Sequence, residues 1–265
     1  MGGIEALTWS ALGGHDVDAL VTTRAGGVSA GPYSTLNLSL AVGDDPAAVL
    51  ENRRRVAAAL GTDLADFVFA RQVHGAGVRV VTAADRGTGA FAVDETVPAV
   101  DVLVTAEPGV VLTILAADCA PIVLYDPVAR VIACVHAGWR GAVARAAAAA
   151  LAAMEELGSR PAGVIAGIGP AIAPDRYQVG PEVRDAAERA LGSLAANVIR
   201  PDGTGRWLFD VAGANRLVLR EAGIPDAQIH QTPLPTGTGY FFSDRAARPC
   251  GRLAIVARLR PGGAR

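Results

Sequence analysis

Cys119 and His136 carry the chemistry this chain most plainly offers. Each sits at the mouth of an apolar strand in ADCAPIVLYDPVARVIACVHAGWRG, residues 117–141. Asp126-Pro127-Val128-Ala129 reads as a four-residue turn, because Asp suits its first position and Pro127 pre-sets the backbone dihedral of the second. Pairing about that turn places Cys119 directly opposite His136 on one face of a hairpin, with Cβ atoms roughly 4.5–5.5 Å apart. His74, in RQVHG, ends a third apolar run beside a glycine. One thiolate and two imidazoles make a good tetrahedral zinc set with an open fourth position. A thiolate–imidazole nucleophile pair uses the same residues without metal. The residue types alone leave both chemistries open. Cys134 shares the face of His136 and reads as core; Cys250 reads as a loop cysteine, and His15 and His230 as surface residues. Asp118 and Arg140 flank the proposed ligands and are candidates to orient them or to hold a substrate anion, or else form a structural ion pair.

The elements that must position these groups alternate along the chain. Strands are expected at 19–23, 67–70, 100–105 and 110–116, followed by the hairpin, then 163–169 and 252–259. Asp45 and Pro46 start a helix that runs to Gly61. Arg53, Arg54 and Arg55 within it read as a solvated face. Further helices are expected over 142–157, stopped by Gly158, and over 181–191 and 210–222, the last capped by Asp210. Residues 82–97 read as an irregular excursion or lid, and 232–245 as a Pro/Gly/Thr loop. The pattern gives an α/β fold, one domain over 1–265 with a mixed β-sheet core and helices packed outside.

Composition narrows the function. With 51% hydrophobic and 19% charged residues, the chain of 265 residues is a folded, enzyme-sized protein and not a disordered one. A net charge of −2 and a pI near 6.1 offer no basic surface for nucleic acid or anionic lipid. All 24 cationic residues are arginine, which excludes a Schiff-base lysine and a lysine phosphate loop. Any anion must then be held by arginine, hydroxyls and backbone N–H groups. Arg24 and Ser29, around Gly26-Gly27, are candidate anion contacts, or else belong to a glycine-rich turn with a solvated arginine. Three cysteines without paired spacing suggest a reducing compartment, the cytoplasm. Met1-Gly2-Gly3 opens no secretory signal, and the apolar middle is broken by acidic residues, so no membrane span is expected.

Taken together, TTRAGGVS, NLSLAVGDD, ENRRR, RQVHG, ADCAPIVLYDP, VHAGWRG, GPAI with YQVG, and FFSDR, in order from Thr22 to Arg245, resemble the multicopper polyphenol oxidoreductase (laccase-domain) family. That family includes bacterial purine nucleoside phosphorylases and peptidoglycan-editing factors. The resemblance implies a zinc site at His74, Cys119 and His136. It further implies phosphorolysis of adenosine, inosine, guanosine and S-methyl-5′-thioadenosine, with deamination of adenosine. Copper-dependent phenol oxidation has also been attributed to it, but 4 histidines are few for several coppers. Gln178 and Gln231-Thr232 depart from the family pattern and bear on the substrate pocket. Other readings are a cell-wall-editing amidase with Cys119 as nucleophile and a zinc-stabilised scaffold. The partners expected are purine nucleosides and phosphate, with no nucleic acid or membrane, and the chain is expected to act as a monomer or small homo-oligomer.

Overall fold

The computed structural model describes residues 3–261, so Met1, Gly2 and the expected domain limits at 1 and 265 lie outside the described residues. The strands are β1 (Ala6–Leu7), β2 (Val17–Thr22), β3 (Phe67–Phe69), β4 (Val78–Val80), β5 (Val102–Thr105), β6 (Val111–Ala116) and β7 (Ala120–Asp126). They continue with β8 (Val131–Ala137), β9 (Ile165–Ile168), β10 (Gln178–Val179), β11 (Ile199–Pro201), β12 (Trp207–Phe209), β13 (Ile229–Gln231) and β14 (Leu253–Leu259). The α-helices are α1 (Pro46–Ala59), α2 (Trp139–Val143), α3 (Ala146–Glu156), α4 (Pro181–Leu191) and α5 (Val211–Glu221).

Two mixed sheets carry the core. One has the order β1-β2-β14-β6-β3 and the other β13-β9-β7-β8-β5-β4; β10-β12-β11 form a small third sheet. The sequence suggests one run of adjacent strands through the middle of the chain. The structure instead crosses from the six-stranded sheet to the five-stranded one for β6 and back again for β7, because each hairpin strand has two apolar faces to bury. Along β8, Val131, Ala133, Val135 and Ala137 point into a cluster shared with the helices. Ile132 and Cys134 point the other way, against Leu112, Ile114 and Ile255 of the facing sheet. This period of two along a strand makes the sandwich. On the outer face of the five-stranded sheet, Val56 and Ala57 of α1 pack with Phe67, Val111 and Val256. The order of layers is helix, sheet, sheet, helices.

Local expectations hold where capping chemistry is plain. Asp45 caps α1 by accepting from the Ala47 N–H, and Asp210 caps α5 by accepting from Gly213 N–H. Three readings are corrected. The expected helix over 142–157 is two helices, α2 and α3, separated at Arg145, whose φ is +59°. That break turns the alanine-rich α3 onto the sheet, with Ala146, Ala147 and Ala150 buried. Arg53 is not on a solvated face: it is only 3% exposed. It shares the inward stripe of α1 with Val49 and Val56, at helical spacings of four and three.

The third correction is the hairpin register. Asp126 pairs with Val131 and Pro121 with His136. The chain loops out residues 127–130: the Asp126 Oδ1 accepts from the N–H groups of Val128 (2.8 Å) and Ala129 (3.0 Å), and Arg130 closes the turn at φ +53°. The opposition therefore moves by two residues, which keeps each side chain on its expected face. Cys119 stands opposite Gly138, with His136 its diagonal neighbour. Cys134 lies fully buried between the sheets. Among the described residues no helix is long and apolar enough to cross a membrane.

Candidate metal centre and its cleft

Three strand ends converge at one edge of the sandwich. His74 follows β3, Cys119 precedes β7, and His136 lies near the end of β8. One ligand atom from each lies within 4.8 Å of the others. The imidazole rings of His74 and His136 are 4.8 Å apart between centroids and inclined at 69°. The structure thus brings together all three residues singled out from the sequence, and brings Arg140 to the same cleft.

Asp101, just before β5, builds the site and was read from the sequence only as an interruption of an apolar run. Its Oδ1 accepts from the His74 N–H at 2.9 Å and pairs with His136 Nδ1 at 2.8 Å. Its Oδ2 accepts from the N–H groups of Val73 (3.1 Å) and Gly75 (2.7 Å). The Asp101 backbone C=O also accepts from His136 N–H. His74 sits at φ +62°, a costly conformation for a residue with a side chain, and the Asp101 carboxylate pins that turn. With Nδ1 committed to Asp101, the His136 Nε2 is the ring atom left to coordinate, the arrangement of a carboxylate that orients a metal-binding histidine. A signal for Asp101 did exist: an acidic residue in an otherwise apolar strand needs a buried partner.

Gly138 completes the wall. A Cβ there would lie 2.5 Å from Cys119 Sγ, so only glycine leaves the sulfur its room. Electrostatics favour a Cys119 thiolate beside a protonated His136, so a metal ion would take its place on Nε2 by displacing a proton. Burial opposes the Cys119 thiolate, but the His136 and then the His74 imidazole outweigh it and bring the thiol down to about 6. Burial likewise opposes charge on His136, while the Cys119 thiolate and Asp101 pull it up to about 9. Asp101 is desolvated, yet the His136 ring and the Gly75 and Val73 N–H groups hold it below the usual carboxylate range. One sulfur and two imidazole donors, one approach left open, and an orienting carboxylate fit a single zinc or copper ion. They do not make a cluster of several coppers.

The donors face a cleft of about 580 Å³. Trp139, Tyr177 and Ile172 give it apolar surface, and Val93 and Thr96 reach its edge from the irregular stretch over 82–97. Arg140 is exposed at the rim with its guanidinium 4.4 Å from the centroid of Trp139. The Arg245 guanidinium stacks 5.1 Å from the Tyr177 centroid. Burial, and after it the Cys119 charge, raises the Tyr177 hydroxyl to about 12. Asp118 is spent structurally: Oδ1 accepts from the Thr236 hydroxyl at 2.5 Å and Oδ2 from Arg245 N–H at 2.7 Å.

Arg24 and Ser29 are not among the residues lining this cleft. The Arg24 Nε donates to Ser34 C=O at 2.8 Å, and the Ser29 hydroxyl donates to the Asp44 carboxylate at 2.6 Å. The departures from the family pattern also fall outside it. Gln178 donates to Asp202 at 2.8 Å, and Gln231 and Thr232 line a separate hollow of about 190 Å³.

Comparison with known proteins gives the family and the overall fold. The purine nucleoside phosphorylase ORF3 of Streptomyces griseus is 43% identical over 234 residues, covering 88% of this chain and 90% of that protein. An adenosine deaminase, RL5, from an unknown prokaryotic organism is 40% identical over 213 residues, covering 80% and 81%. The crystal structure of YlmD from Geobacillus stearothermophilus superposes with a TM-score of 0.93 at 36% identity, covering 98% of this chain and 97% of that one. The family model for multi-copper polyphenol oxidoreductase laccase matches residues 18–260, and the chain belongs to that family.

Proposed function

We propose that this chain is a zinc-dependent purine nucleoside enzyme. It cleaves adenosine, inosine, guanosine and S-methyl-5′-thioadenosine with phosphate and deaminates adenosine hydrolytically. The observation that carries the reading is the convergence of His74, Cys119 and His136 within 4.8 Å, beside a cleft of nucleoside size. The names of the Streptomyces phosphorylase and of the adenosine deaminase support the two reaction classes.

Zinc held by these three residues supplies a Lewis acid to the reacting group. The chain's own residues do the rest. Asp101 fixes the His136 ring through Nδ1, so the ligand face cannot rotate away. Trp139 and Tyr177 offer aromatic surface to the flat base. The Tyr177 hydroxyl, kept protonated by burial, is a hydrogen-bond donor for a base nitrogen or a ribose oxygen. In phosphorolysis a phosphate oxygen bonds to C1′ as the bond from C1′ to the base nitrogen breaks, so an anion must be held beside the sugar. Arg140 and the other arginines of the cleft supply the cations this needs. Three free thiols suit a reducing compartment, and we place the protein in the cytoplasm.

A thiol hydrolase is the second reading, favoured by the low Cys119 pKa beside His136. A second histidine on the same sulfur, and its own positioning by Asp101, favour metal. The test is to follow base release and ammonia from adenosine with and without phosphate, before and after chelation. Base release that requires phosphate and stops on chelation supports the proposal. Turnover indifferent to chelator and abolished by a thiol reagent overturns it.

A further inference from the structure

Arg53 is the buried titratable group that the metal centre leaves unexplained. It is 3% exposed, yet it lines the cleft. Its Nε donates to Leu38 C=O at 2.9 Å, and its Nη1 donates to Gly89 C=O at 2.8 Å and Ala90 C=O at 2.7 Å. The guanidinium lies 3.8 Å from the centroid of Phe69. Among the described residues no carboxylate pairs with it, and its Nη2 has no protein acceptor. Burial alone acts on its charge and lowers its pKa to about 9. A cation held this way, without a counter-ion, is costly unless an anion completes it.

Arg71 stands on the same side. It follows Phe69 by two residues, and the chain stays extended there: the Phe69 C=O accepts from Val97 N–H, and Arg71 N–H donates to Val97 C=O. Residues two apart on an extended strand share a face at roughly 6.6–6.8 Å. Phe69, with Arg53 stacked on it, and Arg71 therefore face one side, with Arg71 exposed at the rim. His74 is five residues beyond Phe69, so their Cα atoms lie at most about 18 Å apart, and Arg53, Arg71 and His74 all line the one cleft. The carboxylate of Asp244 lies in the same cleft but is engaged by Arg248 and Arg252.

We infer that Arg53 and Arg71 form an oxyanion subsite in the cleft, taking a phosphate group through the open Nη2 of Arg53 and the exposed charge of Arg71. It rests on the phosphorolysis reading for its use, though not for its geometry. Inorganic phosphate and the phosphate of a nucleoside monophosphate share this chemistry. A purely structural Arg53, tying α1 to the backbone at residues 38 and 89–90, accounts for Nε and Nη1 but not for the open Nη2.

The test is calorimetric titration of the full-length, metal-containing protein with inorganic phosphate and, separately, with adenosine monophosphate. Arg53→Lys, Arg71→Gln and Arg54→Gln are compared, Arg54 being exposed on α1 outside the cleft. Phosphate affinity should fall at least ~10-fold in Arg53→Lys and about 3-fold or more in Arg71→Gln, and stay unchanged in Arg54→Gln. The probe that binds tighter identifies the source of the phosphate. If Arg53→Lys does not fold, Arg71→Gln and the wild-type titration still decide. No phosphate or nucleotide binding by the wild type, or affinity unchanged in Arg53→Lys and Arg71→Gln, overturns the subsite. Binding that depends on both arginines in a protein that never releases base keeps the subsite and removes phosphorolysis. Phosphorolysis whose phosphate KM is the same in both variants does the reverse.

Discussion

The corner around Ser29 and the corner around Cys119 each set a glycine beside polar side chains at the end of a strand. At the first, the Asn52 and Ser29 side chains are answered within the chain. Asn52 accepts from Val28 N–H at 2.8 Å and donates to the Ser29 hydroxyl and to the C=O groups of Thr35 and Asn37. The Ser29 hydroxyl in turn donates a hydrogen bond to the Asp44 carboxylate. Gly27 lies so close to this network that a Cβ would fall 2.1 Å from Thr35 O. At the second corner the groups behind the site are saturated, with Asp101 taking three N–H groups and one imidazole, while the groups in front converge on open space. Full internal hydrogen bonding makes a structural corner. A saturated rear supporting an unsaturated front makes a site.

The comparison breaks most visibly at the metal ligands. His136→Ala should abolish metal binding and lower base release at least ~100-fold, more than the loss of an orienting partner, with the far corner intact by circular dichroism. Asn52→Ala should do the opposite. Stability should fall by about 2 kcal/mol in denaturant titration, because the buried Asn37 C=O and the part-buried Val28 N–H lose their partner. Metal content per folded chain should be unchanged; a metal-depleted but stable Asn52→Ala protein would dissolve the distinction.

How far the sequence carried the site follows from the same contrast. Cys119, His74 and His136 were legible because thiol and imidazole are scarce residue types standing at strand ends, and the period-two pattern put two of them on one face. The register error at the hairpin was invisible in its effect, since a shift of two preserves faces. Asp101 was legible only as an acid in an apolar run that needs a buried partner; that its carboxylate meets the backbone N–H groups of a loop 26–28 residues away is encoded in no local pattern. Arg24 and Ser29 looked like anion binders because the partners that consume them, Ser34 C=O and Asp44, come from tertiary closure. Arg53 was hidden in a run of three arginines, although its spacing from Val49 and Val56 already pointed inward. Strands and capped helices were legible since their signals are local; the division of strands between two sheets depends on which apolar faces meet, a long-range matter.

Asp101→Asn sharpens the comparison from behind the site. An amide cannot accept from all four donors, because one of its two ends is itself a donor. Metal affinity should fall about 10–100-fold, measured by competition with a chromogenic chelator, while the fold persists. Unchanged affinity would reduce Asp101 to a loop anchor. The smallest effect belongs to a third, purely structural contact. Burial raises the Asp18 carboxyl, but hydrogen bonds and charge from Arg260 and Arg258 outweigh that and leave it below its ordinary value. Its contribution is therefore present above the ordinary carboxylate pKa and is lost as pH falls through the lowered one. Asp18→Asn should flatten the acid side of the stability curve and leave metal content alone. An unchanged acid limb would show that the pair contributes nothing measurable.

The most direct test of the central claim is metal stoichiometry paired with turnover, on the wild type and on Cys119→Ser. Elemental analysis should find close to one zinc per wild-type chain and almost none in the variant, with phosphate-dependent base release lost in parallel. A wild type without bound metal that still turns over adenosine, or a Cys119→Ser protein retaining full activity, would contradict the account.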